Sequence, residues 1–304
     1  MKLFIGILFA FLAIFMGSPL LALLLGSALV LIFKFPENYI NKSLGTIFLQ
    51  IGIIIIGLTM SASNAYDVTS KYFPYISIFV ITVFLVGTLL SNLLKVDKSL
   101  GLLIASGTAI CGATAMAAIA PLIRAKPKDL LFALGIVFIF NAIAMGVFPL
   151  IGNSIGMTNE VFGAWVAMAI HDTSSVIGTA ISFGGSTVET ATTLKLGRTI
   201  WLIPLILIIS FFYKDNEGSK VKFPFFIFIF IMALLLGSYI NLPQNTILFL
   251  ELTSNIFLVA ALFCIGTQIN IQSMNGIDTK IFSLAFILWI FGITFAFFLI
   301  NLAI

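Results

Sequence analysis

The only histidine of the chain, His171, stands beside Asp172, and three hydroxyl residues, Thr173, Ser174 and Ser175, follow at once. The run is flanked by Ala-Trp-Val-Ala-Met-Ala-Ile and Val-Ile-Gly-Thr-Ala-Ile, so a carboxylate and an imidazole fall where hydrocarbon depth is expected. A charge at that depth is costly and points to function with a partner to be found. Asp172 can cap a following half-helix, carry a coupling proton, or pair with Lys195 or Arg198. His171, with an ordinary pKa near neutrality, suits a proton relay. A second constellation runs from Gly107 to Ala115, where Thr108, Cys111 and Thr114 supply small polar groups and Gly107 and Gly112 let the backbone unwind. A third is Lys195 and Arg198, which share a helix face at i and i+3. The arginine fork matches an oxyanion or a carboxylate, while both cations equally suit anchoring at the membrane face. Asn141, Asn255 and Glu251 are further polar candidates, Glu251 lying near a segment start that suits a cap or an interface.

These residues need elements that hold polar groups inside a membrane. A helix broken at mid-depth leaves unpaired N–H groups at one half-helix start and unpaired carbonyls at the other half's end. The first kind of end attracts an anion, and the carbonyls with a carboxylate suit a cation or proton. On that reading Thr108, Cys111, Gly112, Thr114, Thr173, Ser174 and Ser175 with Arg198 hold a substrate, and Asp172 and His171 handle the coupling ion. Close helix packing through small residues explains the first stretch as well as a site does.

With 9% charged and 61% hydrophobic residues and a mean hydropathy of +1.22, the 304-residue chain reads as an all-α polytopic membrane protein with about 9–11 transmembrane segments in one domain. The apolar runs lack the alternation of a membrane barrel. The first of them, behind Lys2, lacks a cleavage site before polar sequence and reads as a retained span. Cys111 and Cys264 lie in apolar runs and offer no disulfide framework or metal spacing. No cofactor is implied, and the net charge of +4 belongs to loops, not to nucleic-acid binding.

Eleven apolar segments are discernible: Leu3 to Met16, Leu20 to Phe33, Thr46 to Met60, Tyr72 to Leu94, Gly101 to Ile123, Leu130 to Ile151, Val161 to Phe183, Leu196 to Phe212, Phe223 to Ile240, Ile247 to Gly266 and Ile281 to Ile304. Several are short of a perpendicular span of ~20 residues. The first two, parted by Gly17, Ser18 and Pro19, form a tight hairpin or one bent element. If every segment crosses, 9 of the 15 lysines and arginines fall on the N-terminal side. If the two segments with polar interruptions enter and return, Arg124, Lys126 and Lys128 join that side and the division becomes 12 to 3. The second division fits the positive-inside rule better, with a cytoplasmic N-terminus and broken or re-entrant helices at both stretches.

Faint internal echoes are present. Ile56-Gly57-Leu58-Thr59-Met60-Ser61 resembles Ile265-Gly266-Thr267-Gln268-Ile269-Asn270, and Gly-Thr-Ala-Ile occurs at Gly107 and at Gly178. Gly-interrupted segments in two corresponding halves are a mark of secondary transporters. The motifs Gly107-Thr-Ala-Ile-Cys-Gly-Ala-Thr-Ala-Met-Ala-Ala118, Ala169-Ile-His-Asp-Thr-Ser-Ser-Val-Ile-Gly-Thr-Ala180 and Lys195-Leu-Gly-Arg198 resemble the signatures of the YeiH family of bacterial inner-membrane proteins, which carry a sulfate-exporter label. The resemblance covers nearly the whole chain. In that family the second motif pairs a histidine with a following acid, often glutamate; His171 and Asp172 fit, and the shorter aspartate with Thr173-Ser174-Ser175 is a departure. The resemblance implies a transporter with inverted repeats and crossed broken helices, and export of sulfate or a related sulfur-containing anion.

Three functions compete. A secondary transporter would move a small anion across the bacterial inner membrane by alternating access between the two broken segments, coupled to a proton or sodium, as a monomer or a homo-oligomer in the lipid bilayer. An intramembrane enzyme would use Cys111 or Ser174 with His171. A passive anion channel needs the same site without coupling.

Overall fold

In a computed structural model the described residues are 2–33, 42–120, 122–213, 225–240, 242–268 and 278–303. Lys34, Lys214, Lys220, Lys222, Phe223, Ile269, Asn270 and Ile304, which enter the segment and charge readings above, lie outside them. Fourteen helices occupy the described residues: α1 (Lys2–Met16), α2 (Pro19–Phe33), α3 (Lys42–Thr59), α4 (Ala62–Leu93), α5 (Lys98–Ala109), α6 (Ala113–Ile119), α7 (Pro127–Ser154), α8 (Asn159–Ala169), α9 (Thr173–Phe183), α10 (Thr187–Thr199), α11 (Leu202–Phe212), α12 (Phe226–Tyr239), α13 (Gln244–Gly266) and α14 (Thr279–Ala303). Five continuous stretches are long and apolar enough to cross a membrane, among them Ala62–Leu93, Lys128–Ser154 and Thr187–Phe212. The protein is an all-α polytopic membrane protein.

Both polar interruptions break a helix, and in both the chain turns back. Phe162 near the start of α8 stacks on Phe183 at the end of α9, with ring centroids 3.8 Å apart. Along one continuous helix those rings would sit about 31 Å apart. Each arm has 11 residues, about 16 Å, or half of a ~30 Å hydrocarbon core. The α5/α6 pair folds back in the same way, since a side chain at Gly107 would collide with that of Met116, nine positions on. Helix α7 joins the pairs; its 28 residues, about 42 Å, are long enough to carry the chain from one membrane face to the other. The open ends of the two hairpins therefore lie at opposite ends of α7, the arrangement that the 12 to 3 charge division expects. Lys95, Lys98, Arg124, Lys126 and Lys128 flank the mouth of α5/α6, while the exposed pair Lys71 and Glu160 (2.9 Å) marks the mouth of α8/α9.

The first two apolar segments form a hairpin, not a bent rod: Phe9 and Phe33 lie edge to face at 5.9 Å. Packing divides the helices into two bodies. One is the large core of α4, α5, α6, α7, α8, α10, α11 and α14. The other, α1, α2, α3, α12 and α13, is packed through close backbone approaches at Gly26, Gly52, Gly57, Gly237 and Gly266, the way helices associate where lipid removes the hydrophobic drive. Helix α9 lies between them, touching α7 and α10 on one side and α2 and α13 on the other.

Two segment boundaries differ from the sequence reading. The fourth segment begins at Ala62, ten residues before Tyr72, and the eighth begins at Thr187, nine before Leu196. The early part of α10 is rich in threonine and buried against α4, α8 and α9. It faces protein instead of lipid, so hydropathy does not mark it. The Gly-Thr-Ala-Ile echo is not a structural equivalence: at Gly107 it closes α5, and at Gly178 it lies in the middle of α9.

Candidate functional site

The tips of the two hairpins meet. A side chain at Gly112 would touch the His171 backbone and Cβ at 3.4 Å, so the α5/α6 and α8/α9 linkers pass each other in contact. Their depth is fixed by α7, whose Asn141, midway along the helix, accepts from the His171 N–H at 3.3 Å and pairs with His171 Nδ1 at 3.1 Å. His171 is buried, and its ring is held by this amide, whose own Nδ2 has no partner among the described residues.

Helix α10 supplies two cations to the crossing. Arg198 and Lys195, both 0% exposed, lie well inside the crossing stretch Thr187–Phe212. Arg198 Nε donates to the Ala109 carbonyl at 2.9 Å and its NH1 to those of Ala167 (2.9 Å), Met168 (2.6 Å) and Ile170 (3.4 Å), while NH2 donates to Thr108. Its guanidinium also lies over the Phe79 ring, 4.8 Å from the centroid. Lys195 Nζ donates to the carbonyls of Ile170 at 2.7 Å and Ile110 at 3.4 Å. The carbonyls reached are those that a helix end leaves without partners, and they carry the negative end of each half-helix dipole. Two side chains thus tie the C-terminal ends of α5 and α8 into one junction. Arginine suits this because five fixed donors can serve several carbonyls at once. In this arrangement Arg198 holds the protein's own carbonyls, unlike the substrate clamp expected from its fork.

The tip of α8/α9 is capped from within. Asp172 accepts from the Ser174 N–H at 3.1 Å, from the Ser175 N–H at 3.4 Å and from the Ser174 hydroxyl, an N-cap on α9. The tip of α5/α6 has no such side chain: the residue before α6 is Gly112, at φ +51 and ψ −114, with no capping hydrogen bond. That combination excludes a residue with a Cβ without strain.

Of the sequence-derived site residues, Thr108, Cys111, Gly112, His171, Ser174 and Ser175 are buried together at the crossing, with Asp172 and Thr173 partly buried beside them. Thr114 is exposed on α6 and stands apart. Ser174 gives its hydroxyl proton to Asp172, and the bonded partner of the His171 ring is Asn141. Neither serves the other as a nucleophile and base would. Glu251 is not near a helix start; it is the eighth residue of α13 and lines a cavity with Asn255. Sequence reasoning missed Glu189 and Thr193 on α10, although Ser186, Glu189, Thr190 and Thr193 recur at helical spacing and all line one cavity.

Residues 3–285 match the family described as conserved hypothetical protein 698. Similar proteins include a UPF0324 membrane protein of Bacteroides thetaiotaomicron, 35% identical over 276 residues that cover 90% of this chain and 83% of the relative. Another, from Shewanella oneidensis, is 37% identical over 283 residues, covering 92% of this chain and 88% of the relative. A third, from Clostridium tetani, is 33% identical over 282 residues, covering 85% and 81%. No solved structure matches. The chain thus belongs to the conserved hypothetical protein 698 family, whose relatives are UPF0324 membrane proteins.

Proposed function

We propose that the protein is a secondary transporter for a small anion, which binds where the hairpin tips cross. The observation that carries this reading is the charge of the junction. Lys195 and Arg198 are fully buried, and the ion pair found among the described residues, Lys71 with Glu160, involves neither. Each helix end contributes about half an elementary charge. The C-terminal ends of α5 and α8 therefore offset about one positive charge, and the N-terminal ends of α6 and α9 restore about as much. What is left is two cations against Asp172, a net of about +1 in a low-dielectric setting, where a bare charge is expensive. An anion is the missing complement.

The ligand set this favours is Thr108, Cys111, Gly112, Thr173, Ser174 and Ser175 with Lys195 as the cation. Arg198 fixes the two tips, and Asp172 organises α9. Half-helices entering from opposite faces, with a second body packed beside them, suit alternating access, since a movement of one body past the other opens one mouth at a time. The lysine and arginine cluster at the α5/α6 mouth supports a cytoplasmic position for that mouth, and with it the bacterial inner membrane. The resemblance to the YeiH family supports a sulfur oxyanion as the first cargo to try.

The test is the thermal unfolding midpoint of the purified protein against sulfate, sulfite, a sulfonate and a dicarboxylate, because a ligand of the folded state raises it. One anion should raise the midpoint in the wild type and fail to do so in Lys195→Gln. Counterflow of that anion in vesicles then separates a carrier from a channel. If no anion raises the midpoint, the anion reading falls.

A further inference from the structure

A second polar region lies away from the tips and has the opposite chemistry. Between α3, the Gly184–Gly185 turn, the start of α10 and the middle of α13 is a cavity of about 260 Å³ lined by Thr59, Glu189, Glu251, Ser254 and Asn255 among apolar neighbours. An adjoining cavity of about 380 Å³ shares Glu189 and reaches Thr193. Among the described residues, no lysine or arginine lines either one.

The polar atoms here offer lone pairs. The Thr59 hydroxyl donates to the Ile56 carbonyl at 2.9 Å, and the Ser254 hydroxyl to that of Gly52 at 2.8 Å. Their protons are committed, so what these two oxygens have left to offer is lone pairs. Asn255 Oδ1 is a buried acceptor with no partner among the described residues. Thr193, 9% exposed, has a hydroxyl that likewise lacks a partner among them. Glu160 at the edge of the second cavity is already bonded to Lys71 and Tyr72, but Glu189 and Glu251 are not in the ion pair found among the described residues, and they act on each other electrostatically. Two carboxylates facing one partly enclosed space repel unless a positive charge sits between them.

We infer that this cavity binds an alkali cation, sodium, between Glu189 on the hairpin body and Glu251 and Asn255 on the glycine-packed body. Oxygen ligands are what a hard cation selects. Three-membered groups of His, Cys, Asp or Glu, which a multivalent metal would use, are absent among the described residues. The ion joins α10 to α13 across the boundary between bodies, so its binding holds them together at the α8/α9 mouth. The site thus gives the proposed transporter its coupling ion at Glu189 and Glu251, while Asp172 remains a helix cap.

The experiment is the unfolding midpoint of the full-length protein in detergent, in sodium chloride or choline chloride at equal concentration and with no transportable anion added. Sodium should raise the midpoint of the wild type and of Asp97→Asn, on the far membrane face. Glu189→Gln and Glu251→Gln should each need at least about tenfold more sodium for half the effect. Should either glutamine variant fail to fold, Glu189→Asp, which keeps the charge and moves the oxygens, replaces it with the same expected loss. Equal midpoints in sodium and choline overturn the proposal, as does a sodium effect that survives in both variants. A midpoint that follows pH alone and loses that dependence in Glu189→Gln overturns sodium as the ligand. Because no anion enters the measurement, its failure leaves the anion reading standing, and a failed anion test leaves this one standing.

Discussion

The two hairpins share a plan and differ in how their tips are held. The α8/α9 tip carries its own cap, Asp172, and its α9 arm is 11 residues long and mostly buried. The α5/α6 tip turns on Gly112 without a side-chain cap, and its α6 arm has only 7 residues. Arg198 and Lys195 donate to both tips, to Thr108, Ala109 and Ile110 of the first and to Ala167, Met168 and Ile170 of the second, but the first has no cap of its own beside them. The α8/α9 hairpin adds a cap from its own sequence to what α7 and α10 supply. The α5/α6 hairpin is a shorter element without one, and it is the one whose geometry a change of α10 would alter first.

The largest effect is expected from topology itself. Single cysteines placed at Thr158 and Gly184 should react with an impermeant maleimide from one side of the membrane, and cysteines at Lys98 and Lys126 from the other. The native Cys111 and Cys264 are buried. Labelling of residues 98 and 126 from opposite sides would mean that α5/α6 crosses, and the two hairpins would not be comparable at all.

Next comes Arg198→Ala, which leaves four carbonyls at the junction, those of Thr108, Ala109, Ala167 and Met168, without their donor, Ile170 keeping Lys195. At ~1–3 kcal/mol for each unsatisfied buried group, little folded protein should survive, as a monodispersity assay in detergent would show. Arg198→Lys should rescue only in part, because the three donors of a compact ammonium cannot serve all the carbonyls that the five-donor guanidinium fork reaches. Full rescue by lysine would reduce the junction to a point charge.

Gly112→Ala ranks third, with a cost of about 1–3 kcal/mol for a side chain at that positive φ. Its effect should be confined to one hairpin. Hydrogen exchange should rise over residues 107–116 and stay unchanged over 166–176. Equal loosening of both tips would show that they fold as one unit.

How much of this was legible beforehand follows from the same contrast. Both breaks were readable because Gly, His and Asp stand out in apolar sequence, and loop charges supported re-entry. The cap at Asp172 was readable because its hydroxyl neighbours mark a helix start. The junction was not: Arg198 binds backbone carbonyls, which leave no mark on the residue types at 108, 109, 167 and 168. Nor was the threonine-rich start of α10, whose burial against other helices hides it from hydropathy. Thr114, grouped with the tip on spacing, is exposed on α6, and spacing alone cannot give the direction in which a residue of a short helix points.

The smallest expected effect is at Asp172, and it separates cap from charge carrier. Asparagine is nearly as good an N-cap as aspartate, whereas alanine costs ~0.5–2 kcal/mol. Asp172→Asn should therefore unfold close to the wild-type midpoint, and Asp172→Ala measurably below it. The substitution to asparagine also removes the one carboxylate that the described residues set against Lys195 and Arg198, which takes the junction from a net of about +1 to about +2. Anion-dependent stabilisation should then persist or grow, and the sodium response, which belongs to Glu189 and Glu251, should not move. A sodium response lost in Asp172→Asn but kept in Glu189→Gln would reverse the assignment and return the coupling ion to the tip. A midpoint equally low in both Asp172 variants would mean that the charge, more than the capping geometry, steadies α9, and the second hairpin would then depend on the junction as much as the first.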